Sequence, residues 1–188
     1  LAADNDIPKT ALQCNPLIAA PEQVASALDE AQIPYEPHPW LPGCFLVSGT
    51  GNLETLPLFQ SGAVYVQDPA AKLAALASGA APGMRVLDCC AAPGGKSFAA
   101  AMQMENTGSI LSCDLHPHKI ALIEKNAARL GISILKAETR SAAEFDPALE
   151  NGFDLVIADV PCSGLGVIRK KPDIRYKDMA SLAGLPAI

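Results

Sequence analysis

Residues 84–96 read Met-Arg-Val-Leu-Asp-Cys-Cys-Ala-Ala-Pro-Gly-Gly-Lys, a short apolar run followed by a sharp turn of small residues. The run from Met84 to Asp88 has the composition of a buried β-strand, and Lys96 to Met104 is typical of a helix. Small residues let the backbone of such a turn approach a ligand, while the helix N-terminus offers free N–H groups. The segment therefore predicts the first βα unit of a nucleotide-binding sheet; a turn that needs glycine only for its backbone shape is the alternative.

Strand-like and helix-like segments alternate after this turn. The predicted elements are strands at 108–113, 133–136 and 153–158, a helix at 117–130, and a short helix or loop at 141–149. This alternation predicts βαβ units, and therefore an α/β fold with a parallel sheet and right-handed crossovers. A complete doubly wound domain has about six strands, so we expect the chain to be a fragment that lacks the C-terminal strands.

The residues before this sheet are rich in proline and irregular. Their predicted elements are two helices, at 21–31 and 68–78, and two strand-like pieces, at 45–48 and 63–67. We therefore expect a small α+β subdomain formed by residues 1–80, followed by a partial Rossmann-like domain formed by residues 81–188.

The composition is that of a globular protein, with 49% hydrophobic and 18% charged residues. We expect no membrane span and no secretory signal, because no apolar stretch is long enough and the N-terminus is polar and acidic. The six cysteines form no C-x-x-C pair and have no histidine at ligand spacing, so we expect no metal site. Free thiols of this kind indicate a reducing, cytoplasmic location.

Charge is distributed unevenly along the chain. The net charge is −6, yet residues 1–80 carry two basic and eight acidic side chains, whereas residues 81–188 carry twelve of each. Within 169–177, a single acid is accompanied by five basic side chains, which are Arg169, Lys170, Lys171, Arg175 and Lys177. A basic patch can bind phosphates on a protein that is acidic overall, so this run is a candidate RNA contact; a solvated surface run is the alternative.

Two acids follow later strands. Asp114 lies 20 residues beyond Gly94, which is the spacing at which dinucleotide-binding folds hold ribose hydroxyls; capping the next helix is the alternative. After the fourth strand, residues 159–166 read Asp-Val-Pro-Cys-Ser-Gly-Leu-Gly. This stretch lies where the carboxyl ends of the strands form the ligand crevice, and a thiol in a positive environment is a good nucleophile. Asp159 and Cys162 are therefore candidate catalytic residues. Cys162 taken alone is better explained as an inert cysteine in a turn that ends the strand.

The tripeptide Gly95-Lys96-Ser97 matches the end of a phosphate-binding P-loop. That motif also needs a glycine at position 90, where this chain has cysteine. A nucleoside triphosphatase is therefore kept only as an alternative, which stabilisation by ATP would reveal.

Three stretches of the chain form motifs. They are Asp-x-Cys-Ala-Ala-Pro-Gly-Gly-Lys at 88–96, Asp-x-Pro-Cys-Ser-Gly-x-Gly at 159–166 with Arg169 and Lys-Pro-Asp at 171–173 behind it, and Val-Gln-Asp at 66–68. Together they resemble the RNA cytosine-5 methyltransferases of the Sun/Fmu (RsmB-like) kind, over nearly the whole chain. The resemblance implies a Rossmann-like methyltransferase sheet that binds S-adenosylmethionine.

The resemblance also implies a role for each matching residue. Asp114 would bind the ribose hydroxyls, and Asp159 would lie beside the cofactor and the target base. Glu138 would lie near the adenine, at a position where the family more often has Asp. The residues that would surround the methionine and ribose parts of the cofactor are Cys90, Ala91, Ala92, Pro93, Gly94, Gly95 and Lys96.

The implied reaction is methyl transfer to carbon 5 of a cytosine in RNA, with small-subunit ribosomal RNA as the expected substrate. The family uses one thiol to attack carbon 6 of the base and a second thiol to assist product release. Cys162 matches the second thiol, whereas the first belongs to a Thr-Cys pair that does not occur in these 188 residues. The alternatives are a tRNA cytosine-5 methyltransferase and a non-catalytic module that binds S-adenosylmethionine or RNA.

Overall fold

The computed structural model describes residues 8–177, which contain two four-stranded sheets. Residues 1–7 and 178–188, which fall within the two predicted domains, lie outside the described residues. Both sheets belong to one compact unit formed by residues 10–159, and the described residues 8–9 and 160–177 belong to a second unit. Between residues 8 and 177, no helix has the length and apolar character needed to cross a membrane.

The first sheet is antiparallel and comes from the N-terminal part of the chain. Its elements are β1 (Thr10–Cys14), α1 (Pro21–Glu30), β2 (Tyr35–Pro37), β3 (Cys44–Val47), α2 (Pro57–Gln60) and β4 (Val64–Val66). The strand order is β2-β3-β1-β4. Helix α1 places Val24 and Leu28, four residues apart, on the face that packs against Leu12, Phe45 and Val47 of the sheet.

The second sheet is parallel, as the alternating pattern predicts. Its elements are α3 (Pro69–Ala77), β5 (Arg85–Asp88), α4 (Gly95–Gln103), β6 (Ser109–Asp114), α5 (Pro117–Arg129), β7 (Leu135–Thr139) and β8 (Leu155–Ile157). The strand order is β7-β6-β5-β8, so the chain turns back past β5 to add β8 on its other side. This is the order of the first four strands of a doubly wound sheet, and the predicted Rossmann-like fold is confirmed.

Some elements differ from the sequence prediction. Strands β1 and β2 are not predicted, because β1 mixes buried Gln13 with apolar residues and β2 is only three residues long with a terminal proline. Strand β7 begins two residues later than predicted and continues to Thr139. Residues 141–149 form a loop that ends in a short 3-10 helix, Pro147–Leu149. The division predicted at residue 80 falls between α3 and β5 and stays a prediction as a domain boundary.

Direct contacts join the two sheets within their common unit. The Asn15 amide donates hydrogen bonds to the carbonyl oxygens of Gly62 and Leu130, both at 2.9 Å. The Arg129 guanidinium donates to the carbonyl oxygen of Phe59 at 2.5 Å and lies 3.9 Å from the centre of its ring. Because these contacts connect β1 and α2 to the end of α5, the first sheet holds a defined position against the second.

The second unit is short in its described part. It contains two 3-10 helices, Leu165–Val167 and Pro172–Tyr176, and Ile174 is buried within it. The Lys177 ammonium donates a hydrogen bond to the carbonyl oxygen of Ser163 at 3.2 Å, which connects the end of the unit to its beginning.

Candidate functional site

The candidate site lies where the parallel sheet changes direction. Strand β5 has β6 on one side and β8 on the other. In open α/β sheets, ligands bind outside the carboxyl ends of the strands at this switch point. Two parts of the chain lie at this edge. One is the turn that follows β5, and the other is Asp159, which comes two residues after β8.

The turn after β5 is held in place by backbone contacts. The Ala91 N–H donates to the carbonyl oxygen of Cys113 at 2.8 Å, and the Gly94 N–H donates to the carbonyl oxygen of Ala91 at 2.6 Å. Gly94 precedes α4 with φ at +105°, and a Cβ there would overlap the ring of Phe98. Glycine is therefore required at this position both for its backbone conformation and for space.

A cavity of about 240 Å³ lies beside this turn. Six of the seven predicted turn residues line it, and Gly94 does not, because it faces Phe98. Other lining residues were not among the predicted site residues, above all Asp88 at the end of β5 and Gln67 after β4. Both stand inside motifs quoted above, so the signal was present, but the sequence pattern does not show that the two residues line one cavity.

Asp88 is the most deeply buried acid at the cavity, with 1% of its surface exposed. The Ser97 hydroxyl donates to its Oδ2 at 2.7 Å, and the hydroxyls of Ser97 and Ser112 lie 2.8 Å apart. Its Oδ1 is buried without a hydrogen-bond partner among the described residues. Burial raises the pKa of Asp88, opposed by the Ser97 hydrogen bond and by the charge of Lys96. A cationic ligand at this oxygen would favour the ionised form.

The raised pKa of Asp88 makes a prediction about stability. Because the folded chain binds this proton more tightly than the unfolded chain, the free energy of unfolding should fall as pH rises from the ordinary value of 3.8 through the raised pKa. Above that raised pKa, the loss of stability caused by ionising Asp88 in the folded chain is complete. Urea titrations of the wild type and Asp88→Asn between about pH 4 and pH 8 check this. The free energy of unfolding of the variant should rise relative to that of the wild type as pH rises, and a variant that instead loses stability relative to the wild type over this range would contradict the prediction.

Asp159 is tied to the turn by an ion pair. The Lys96 ammonium lies 2.5 Å from Asp159 Oδ2, and both residues line the cavity. The pair joins the start of α4 to the end of β8, so it spans the switch point. The structure thus brings together two residues that the sequence analysis assigned to separate motifs.

Asp114 lies on the same edge of the sheet, at the end of β6. Its carboxylate accepts a hydrogen bond from the His116 N–H at 3.1 Å and lies 3.4 Å from the Lys119 ammonium. Burial raises the pKa of the Cys90 thiol, and the charge of Asp114 is the next cause. The carboxylate is thus close enough to the turn to act on Cys90 while it also supports the start of α5.

Glu138 is engaged in ion pairs. Its carboxylate oxygens lie 2.7 Å from the Lys136 ammonium and 3.0 Å from the Arg140 guanidinium, and these hydrogen bonds lower its pKa. Arg140, rather than Glu138, lines a second cavity of about 430 Å³ next to Cys89 and Cys113. The two cavities therefore flank the adjacent cysteines Cys89 and Cys90.

The remaining predicted residues lie in the second unit. Cys162 is an exposed free thiol, unlike Cys14, Cys44 and Cys113, which are buried. The predicted RNA contacts, which also lie in this unit, are Arg169, Lys170, Lys171, Arg175 and Lys177.

Comparison with known proteins places the chain among methyltransferases. The family described as "16S rRNA methyltransferase RsmB/F" matches residues 75–185. The chain is 47% identical over 127 residues to the probable ribosomal RNA small subunit methyltransferase B of Bacillus subtilis (strain 168), covering 67% of this chain and 28% of that protein. It is 36% identical over 140 residues to the ribosomal RNA small subunit methyltransferase B of Pseudomonas syringae pv. tomato, covering 71% of this chain and 31% of that protein.

Solved structures support the same fold. The crystal structure of PH0851 matches with a TM-score of 0.91 and 28% identity, and the match covers 96% of this chain and 42% of the PH0851 chain. The crystal structure of NSun6 from Pyrococcus horikoshii with SFG has a TM-score of 0.78, and the match covers 90% of this chain and 67% of that one. At 18% identity it supports the fold alone.

The chain spans less than a third of the length of the two curated relatives above. Since the family match covers more than half of the 188 residues and includes the turn, the switch point and Cys162, this chain belongs to the 16S rRNA methyltransferase RsmB/F family.

Proposed function

We propose that this chain is the cofactor-binding part of an enzyme that transfers a methyl group from S-adenosylmethionine to carbon 5 of a cytosine in small-subunit ribosomal RNA. The observation that carries the proposal is the cavity at the switch point, which is lined by a buried carboxylate with one oxygen, Asp88 Oδ1, that has no hydrogen-bond partner in residues 8–177. S-adenosylmethionine carries an ammonium and a sulfonium, and a positive partner of this kind stabilises a buried carboxylate in its ionised form.

The residues around the cavity fit this cofactor. The turn from Cys90 to Lys96 would enclose the methionine and ribose parts, with the start of α4 supplying free N–H groups. Asp114 would bind the ribose hydroxyls from the end of β6. Glu138 would act near the adenine through the position it gives Arg140, whose side chain lines the larger cavity.

The chain's own residues would then prepare the target base. The bound cofactor supplies an electrophilic methyl group. Asp159, held by Lys96, would lie beside the base, which must leave its stack to reach the cavity. Cys162, three residues further on, would assist release of the methylated product. The attacking thiol would come from a Thr-Cys pair, which is not part of this sequence.

RNA is the proposed partner of two regions. The basic run from Arg169 to Lys177 would contact phosphates, and binding through it would weaken steeply as salt rises. The subdomain formed by residues 1–80 would add further RNA contacts. Ribosomal RNA as substrate and six cysteines without a disulfide both support a cytoplasmic location.

Two experiments, one after the other, test cofactor binding and then methyl transfer. S-adenosylmethionine and S-adenosylhomocysteine should raise the melting temperature of the chain, and ATP should not. Methyl-labelled cofactor with a small-subunit ribosomal RNA transcript should then yield 5-methylcytosine when the protein used also carries the attacking Thr-Cys pair. Binding without transfer by that protein would favour the non-catalytic module instead. Stabilisation by ATP alone would overturn the proposal in favour of a P-loop enzyme.

A further inference from the structure

Gln67 connects the N-terminal sheet to the cofactor cavity. It follows β4 directly, and its main chain is held by β1: the Gln67 N–H donates to the carbonyl oxygen of Ala11 at 3.3 Å, and the Gln13 amide donates to the carbonyl oxygen of Gln67 at 3.0 Å. Only 7% of its surface is exposed. Its side chain lines the cavity beside Gly95, where an added Cβ would lie 3.1 Å from Nε2. The amide is therefore packed against the first turn of α4.

The amide oxygen of Gln67 has no hydrogen-bond partner among the described residues. Of the buried side-chain atoms in residues 8–177 that share this property, two line the cavity, and both are acceptors: Gln67 Oε1 and Asp88 Oδ1. Burying an acceptor without a donor is unfavourable, so two of them on one cavity indicate a ligand that supplies donors.

The charge of the cavity narrows the choice of ligand group. Its lining includes the carboxyl groups of Asp68, Asp88 and Asp159 and one ammonium, that of Lys96. This surplus of acid favours a cation that carries N–H donors. In S-adenosylmethionine, the sulfonium has no N–H, the adenine amino group is neutral, and the ribose hydroxyls are assigned to Asp114. The α-ammonium group combines both properties.

We propose that Gln67 accepts a hydrogen bond from the α-ammonium group of the cofactor, next to Asp88, so that the N-terminal sheet supplies a specificity residue for the aminoacyl end. This inference rests on the proposed function. It gives the first sheet a part in cofactor binding, beyond any contact with RNA, because β1 and β4 set the position of the Gln67 amide.

Calorimetric titration of the 188-residue chain with two ligands tests the proposal. The probes are S-adenosylhomocysteine and its deaminated analogue, which differ only in the ammonium group. Gln67→Leu should weaken S-adenosylhomocysteine binding about ten- to a hundredfold, the cost of a hydrogen bond to a charged group, and leave the analogue unchanged. The matched control is Gln103→Leu, because Gln103 also carries a buried oxygen that has no partner in the described part of the chain, but it lies at the far end of α4, outside the cavity. It should bind both ligands like the wild type.

The outcomes separate the inference from the proposed function. If the wild type binds neither ligand, the proposed function fails. If the wild type binds S-adenosylhomocysteine and Gln67→Leu binds it equally well, the inference alone is wrong. A variant that loses both ligands equally would show a structural role for Gln67 instead. Should Gln67→Leu not fold, Gln67→Glu keeps size and acceptor and should retain S-adenosylhomocysteine binding without gaining affinity for the analogue; a loss specific to S-adenosylhomocysteine would overturn the inference.

Discussion

Asp88→Asn should leave the chain folded and weaken S-adenosylhomocysteine binding by about 100-fold or more. Asparagine keeps the size of the side chain, and its oxygen can still accept the Ser97 hydrogen bond that aspartate accepts at 2.7 Å. What is lost is the negative charge beneath the proposed ammonium site. Breaking one half of a buried ion pair costs about 3–5 kcal/mol, which corresponds to more than two orders of magnitude in affinity. Calorimetric titration at neutral pH measures the loss.

The control for this variant is Asp154→Asn. Asp154 pairs with Arg85 at 3.1 Å at the opposite, amino-terminal end of β5 and does not line the cavity. Its pair is exposed to solvent, so its removal should change stability little and leave ligand affinity intact. Wild-type affinity in Asp88→Asn, with the same protein shown to be folded, would contradict the assignment of Asp88 to the cofactor site.

Gly62→Ala should lower the free energy of unfolding by about 3–5 kcal/mol, more than Gly79→Ala. Gly62 has φ at +78°, and a Cβ there would overlap the carbonyl oxygen of Arg129 at the end of α5. The overlap involves backbone atoms on both sides, so no side-chain rotation relieves it. The first sheet would have to move away from the second, and the Asn15 hydrogen bond to the Gly62 carbonyl oxygen would be strained as well.

Gly79→Ala separates the overlap from the backbone conformation. Gly79 has nearly the same φ, +73°, but nothing lies within 4 Å of an added Cβ. This variant should therefore cost only the penalty of a left-handed conformation, about 1–2 kcal/mol. Urea unfolding of both variants gives the comparison. Equal losses at the two positions would show that the contact between Gly62 and Arg129 does not hold the sheets together.

The fold was predictable from the sequence wherever the signal was local. The predicted helix at 117–130 is α5, because its apolar positions recur at helical spacing and Pro117 occupies its first turn. The short apolar run before the small-residue turn is β5, and the parallel sheet follows from the alternation of elements. Strand β1 was missed because its neighbours β3 and β4 come from residues 44–66, and only their pairing buries its polar Gln13.

For the candidate site too, some features were predictable from the sequence and others were not. The residue types and order of the turn at 90–96 identify a ligand-binding loop without any structure, since a tight strand-to-helix turn needs small residues whatever surrounds it. The sequence by itself also determined the family of motifs to which Asp159 and Cys162 belong. Only the tertiary structure decided that Lys96 meets Asp159, 63 residues away, and that Gln67 packs against Gly95. Such meetings depend on strand order and on how one sheet packs against another, and these arise from contacts between residues far apart in the chain.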